Sequence, residues 1–197
     1  MHPEEGLDYE AIATAVMTVP DRLSYMAALG AALSGAWAER YRRLVGSSYL
    51  HEIPLDGSTL LFDLASAAGA PQADRTVAAW GVTRRPAAPR DVAYQRGYPS
   101  PRGRASRPLD KGHMVPHTAG GEFGPNIFPQ DRDLNRGWSA EGRRYRALER
   151  EITDWPGTFF FSHLLYADES DFPQTVELGV LRTDGLYVEQ FRNRFDA

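Results

Sequence analysis

The sequence predicts an α+β domain built on an antiparallel sheet, with a helical extension over residues 1–50 and the main domain over 51–197. Three observations predict this. Helical periodicity runs through the first fifty residues. Three strand-like runs close the chain, the last two separated by Asp184-Gly185, a strong short-hairpin signal. A further helical stretch lies between strand-like runs, so a hairpin and helix are inserted into the sheet.

The elements follow in order. A short helix is expected around Tyr9 to Met17. Pro20 and Asp21 then form a helix start, and from Leu23 the apolar residues Met26, Leu33, Trp37, Tyr41 and Leu44 recur at helical spacing until Gly46 ends the run. These helices are expected to pack on the core, with a docking or regulatory element as the alternative. Gly57 to Leu64 and Thr76 to Val82 read as strands, the second with Val77, Trp80 and Val82 as its apolar positions. Pro86 to Gly103 is rich in proline, glycine and arginine, which predicts a long loop with a short strand at Val92 to Gln95. Asp131 to Thr153 reads as one helix with Leu134, Trp138, Tyr145, Leu148 and Ile152 on a partly apolar face. The closing strands are Thr158 to Tyr166, Gln174 to Arg182 and Leu186 to Phe191.

Composition excludes several classes of chemistry. The chain has 197 residues and no cysteine, which removes disulfides, thiolate zinc sites and cysteine nucleophiles together. The acidic N-terminus is not followed by an apolar run of the length that secretion or membrane spanning needs. The expectation is therefore a cytoplasmic protein, or one delivered to a target cell by a carrier, with no membrane partner. The formal net charge of −4 conceals an uneven distribution. Arg84, Arg85, Arg90, Arg96, Arg102, Arg104, Arg107 and Lys111 are opposed over that stretch only by Asp91 and Asp110. Such a run suits a phosphate-tracking groove, and a solvated basic loop is the plain alternative.

The chemistry concentrates after that run. Asp110-Lys111-Gly112-His113 is followed by Asn126-Ile127-Phe128-Pro129-Gln130, then Leu134-Asn135-Arg136-Gly137-Trp138, then Tyr145-Arg146-Ala147-Leu148-Glu149. An imidazole can take a proton from water and release it again, which makes His113 the candidate general base. The amide oxygen of Asn135 can hold a hard divalent cation that keeps most of its waters. His113 and His117 lie four apart, but Pro116 between them and the lack of a His-Glu-x-x-His pattern argue against a zinc protease site.

In this order the blocks resemble the signature of the DNA/RNA non-specific endonucleases of the ββα-metal (His-Me finger) superfamily, Asp-Arg-Gly-His, Asn-x-x-Pro-Gln and Leu-Asn-x-Gly. Their wording is most similar to the nuclease domains of bacterial polymorphic toxins. The resemblance implies a ββα-metal finger within the sheet and a Mg²⁺- or Mn²⁺-dependent endonuclease acting on DNA, with RNA left open as a second substrate. It implies His113 as general base at the end of the finger's first strand and Asn135 as direct metal ligand. Asn126 would orient the site, and Glu149 would contact metal-bound water, with Glu141 as its competitor because extra residues separate Glu149 from Asn135. Lys111 stands where the family most often has arginine and would bind phosphate as a point charge. Arg104, Arg107 and Arg136 are the substrate-binding candidates. A toxin or defence effector held in check by an immunity or regulatory protein is the implied biology. A nucleic-acid-binding or interaction module on a catalytically decayed nuclease fold is the alternative.

Overall fold

The computed structural model describes residues 6–46, 48–55, 57–85, 107–121 and 124–194. Its helices are α1 (Tyr9–Ala15), α2 (Arg22–Val45), α3 (Arg132–Arg136) and α4 (Ala140–Asp154). Its strands are β1 (Leu50–Leu55), β2 (Ser58–Asp63), β3 (Arg75–Val82), β4 (Leu109–His113), β5 (Ile127–Asp131), β6 (Phe159–Leu165), β7 (Thr175–Leu181) and β8 (Leu186–Arg192). Six strands form one sheet in the order β1-β2-β3-β6-β7-β8, every neighbouring pair antiparallel. The fold is α+β on an antiparallel sheet, as the sequence predicts.

β4 and β5 form a separate two-stranded ribbon. Since β3 pairs directly with β6, everything between them in sequence is an excursion from the middle of the sheet. That excursion carries every sequence-predicted site residue described here. The expected strand at Val92 to Gln95, and with it Arg90, Arg96, Arg102 and Arg104, lies outside the described residues.

α2 covers one face of the sheet. Asp21 accepts a hydrogen bond from the Ser24 amide at 2.9 Å, satisfying an amide that the helix itself cannot, and Gly46 closes the other end. Met26, Leu29, Leu33, Trp37 and Tyr41 are buried, whereas Leu44, expected on the same stripe, is 41% exposed in the last turn. Trp37 meets Phe161 at 5.0 Å and Trp80 at 5.7 Å between ring centroids, so the helix and the central strands share one core. Each fully buried side chain of this kind contributes about 1.5–3 kcal/mol. α1 is tied in by polar contacts: the Tyr9 hydroxyl donates to Glu177 on β7 and accepts from the Trp37 indole N–H at 3.2 Å. His163, read from sequence as structural, is buried beside them, 2.8 Å from Glu177 Oε2.

Two local expectations differ. β1 reads poorly from sequence because it is an edge strand, half exposed, carrying His51, Glu52 and Pro54 where an inner strand would carry apolar residues. The single helix expected from Asp131 to Thr153 is two, broken at Gly137, where φ is 72°. A side chain rarely adopts that conformation and glycine does so freely, so α3 ends there and Ser139 caps a new helix through the Gly142 amide at 2.9 Å. The break turns Trp138 outward, where it is 60% exposed and not part of the buried face. Among the described residues no helix is long and apolar enough to cross a membrane.

Candidate active site

The β4–β5 register explains the glycine in Asp110-Lys111-Gly112-His113. Asp110 pairs with Gln130 and Gly112 with Phe128, so these residues share one face of the ribbon. A Cβ on Gly112 would lie 2.6 Å from Gln130 Oε1 and 2.9 Å from the Phe128 ring, so that face closes only over glycine. Side chains alternate along a strand, which puts Lys111 and His113 on the ribbon's other face, both half-buried.

His113 ends β4, and the backbone leaving it is pinned to the main sheet. The Met114 amide donates to the Asn126 carbonyl at 2.9 Å, and Ser162 Oγ on β6 donates to the Met114 carbonyl at 2.6 Å. Asn126 Oδ1 accepts from the Val115 amide at 2.7 Å while its Nδ2 donates to the Val115 carbonyl at 3.0 Å. Thr76 on β3 donates to the Pro125 carbonyl. Asn126, expected among the catalytic residues, is fully buried with both amide atoms committed to the backbone. In this arrangement its amide braces the turn that follows His113. His117 sits in that turn with Nδ1 3.3 Å from the Gly121 carbonyl, a loop-bracing contact.

One carboxylate of β4 gathers three side chains of α3. Asp110 accepts from Arg132 Nε at 3.1 Å, from Asn135 Nδ2 at 3.2 Å, and from Arg136 Nε and Nη2 at 2.6 and 3.0 Å. Burial pushes the Asp110 carboxyl up, but the hydrogen bonds from Arg136, Asn135 and Arg132 outweigh it and hold it below the usual carboxylate range. Asn135 donates through nitrogen, so its amide oxygen takes no part in the bond that orients it. Asp131 caps α3 through the Asp133 amide at 3.1 Å, and burial raises its own carboxyl.

The remaining site residues are placed separately. Glu149 is buried on α4, where Arg146 Nη1 donates to its Oε2 at 2.6 Å; burial raises its carboxyl despite that cation. Its competitor Glu141 accepts from the Arg192 amide at 2.7 Å and lies 3.5 Å from Arg194, which ties it to the end of β8. Arg107 is engaged by Asp133 at 3.0 Å and Asp131 at 4.0 Å, bridging the entry to β4 and the start of α3. Arg136 is exposed, and Arg104 lies outside the described residues.

Two residues that sequence reasoning did not single out support this geometry. Asp110 was visible only as the first letter of a motif. Asn193 had no signal at all: it is buried, and its amide accepts from the Asp131 N–H at 2.7 Å and donates to the Pro129 and Pro173 carbonyls at 2.9 and 2.7 Å. It thereby docks β5 onto the C-terminal strands.

Among the described residues no group of three or more His, Asp and Glu side chains is arranged to hold a metal ion. The amide oxygen of Asn135, left out of its bond to Asp110, is of the type that suits a hard cation that retains its waters and takes few protein ligands. No protein-family model matches the chain, and no curated protein matches it at a significant level.

Proposed function

We propose that the chain is a Mg²⁺- or Mn²⁺-dependent endonuclease that hydrolyses phosphodiester bonds in DNA with low sequence specificity, RNA being the second substrate to test. The observation that carries this reading is the Asp110 clasp. It orients Asn135 and Arg136 together on a helix packed against the ribbon whose first strand ends in His113. The ribbon and α3 correspond in this reading to a ββα-metal finger.

His113 takes the proton from an attacking water as its oxygen bonds to phosphorus; the P–O3′ bond breaks, leaving a 5′-phosphate, and the departing O3′ takes a proton from a second water to become the 3′-hydroxyl. Asn135 would hold the divalent ion through its amide oxygen. When bound there, the ion supplies positive charge to the crowded phosphate and to the departing oxygen. Arg136 spends Nε and Nη2 on Asp110, which leaves Nη1 to receive a phosphate oxygen from a fixed direction. Lys111 shares the His113 face and adds a point charge there. Asn126 keeps the turn after His113 in place, and Glu149, buried on α4 beside Arg146, is the acidic group that the resemblance implies for water on the ion. Nothing in this chemistry requires a base to be read, which fits low specificity.

The test is degradation of plasmid DNA and single-stranded RNA with Mg²⁺, with EDTA, and with His113→Ala in parallel. Metal-dependent loss of a substrate that vanishes in the variant is expected. Intact substrates under every metal tried would favour the binding-module reading, and undiminished cleavage by a folded His113→Ala protein would remove that residue from the mechanism.

A further inference from the structure

The break between α3 and α4 presents a side chain that the proposed mechanism does not use. Trp138 follows Gly137 directly, and its backbone N–H donates to the Asp133 carbonyl at 2.9 Å, so the chain is anchored while the indole projects. The ring is 60% exposed, whereas Trp37 and Trp80 are in the core. It is also held in place. The guanidinium of Arg136 lies 5.0 Å from the ring centroid, and that guanidinium is itself fixed by two hydrogen bonds to Asp110. One carboxylate therefore orients the metal-ligand candidate, the phosphate-binding candidate and, through the latter, an exposed aromatic surface two residues further on.

We infer that Trp138 is a stacking platform for an unpaired nucleobase of the bound strand, beside the phosphate received by Arg136; this rests on the nuclease reading above. An indole already oriented by a cation loses little freedom when a base settles on it. Stacking is tolerant of sequence because every base has a π-face, so such a contact adds affinity without adding specificity. It selects instead for a strand whose bases are free to leave the helix stack.

The experiment uses the full chain carrying His113→Ala, so that binding is read without cleavage. Affinity is measured for a labelled single strand of about twelve mixed-sequence nucleotides and for an abasic strand of the same length and charge. Adding Trp138→Ala is expected to weaken binding of the base-bearing strand by about five- to 150-fold, the range that about 1–3 kcal/mol per stacked base corresponds to. The abasic strand should lose nothing, and the dependence of affinity on salt should keep its slope, because no phosphate contact is removed. Trp138→Phe should restore most of the affinity, and Trp155→Ala, at an exposed tryptophan on the far end of α4, should leave it unchanged. Equal affinities with and without Trp138, or equal losses on the two strands, overturn the inference while leaving the nuclease reading intact. Failure of the His113→Ala protein to bind any strand, with no cleavage by the unsubstituted chain, overturns both.

Discussion

Asp110→Ala is the most informative perturbation, because it removes the acceptor shared by Arg132, Asn135 and Arg136. The Arg136 pair is exposed and water replaces it, so it is left out of the stability estimate. The bonds from half-buried Asn135 and Arg132 together account for about 1–2 kcal/mol after allowance for screening. For a chain of this size that lowers the melting temperature by roughly 2–8 °C. The contribution has a defined pH window. A carboxyl held below its unfolded value stabilises the fold above the unfolded pKa, about 3.9, and loses that effect as pH falls through its folded value. The difference in melting temperature should therefore be full at pH 7 and shrink below about pH 4. Cleavage should fall further than stability, by about 10–100-fold, the usual effect of removing a group that orients a metal ligand. Circular dichroism melts at the two pH values, with initial rates of plasmid cleavage, measure both. A variant that melts and cleaves like the unsubstituted chain would refute the clasp as the organiser of the site.

Asn135→Ala should raise the metal concentration needed for half-maximal cleavage or eliminate turnover while the melt stays within about 1 kcal/mol of normal, the effect expected for a half-exposed side chain; unchanged metal dependence would count against its ligand role. Gly112→Ala places a methyl 2.7 Å from Gln130 Cβ, a clash that a rotamer change cannot relieve, and overpacking of this kind costs about 1–3 kcal/mol. A lowered urea midpoint with cleavage lost in proportion is expected, and an unshifted midpoint would show that the ribbon face is looser than described. His163 is held below its usual imidazole range by burial, which outweighs the opposing hydrogen bond to Glu177. The unfolded chain takes up that proton near pH 6.5 and the folded chain only at lower pH, so His163 makes stability fall as pH drops below about 6.5. Urea titrations of the chain and of His163→Gln between pH 7 and 5 should diverge in slope, and parallel curves would contradict the assignment.

The elements that read well from sequence are those specified by near neighbours. α2 carries its own cap at Asp21, its own stop at Gly46 and a stripe of apolar residues that becomes its buried face. The β7–β8 hairpin is announced by Asp184-Gly185, and the Arg182 amide closes the turn on the Gly185 carbonyl at 2.9 Å. β1 was not legible because its pairing with β2, and not its composition, makes it a strand. The helix break at Gly137 was obscured by a continuous apolar period that included Trp138, a residue the tertiary structure sends to the surface.

The class of fold and the helix and hairpin signals are legible in the chain because caps, turns and periodicity act over a few residues. Which polar groups meet is set by packing between distant segments. Asp110 and Asn135 are 25 positions apart and Asp131 and Asn193 are 62, and nothing local links either pair. A polar group leaving water must find a partner wherever the packing supplies one. The buried amide of Asn126 and the carboxylate of Asp110 acquire their roles from the ribbon, the helix and the central sheet that close around them.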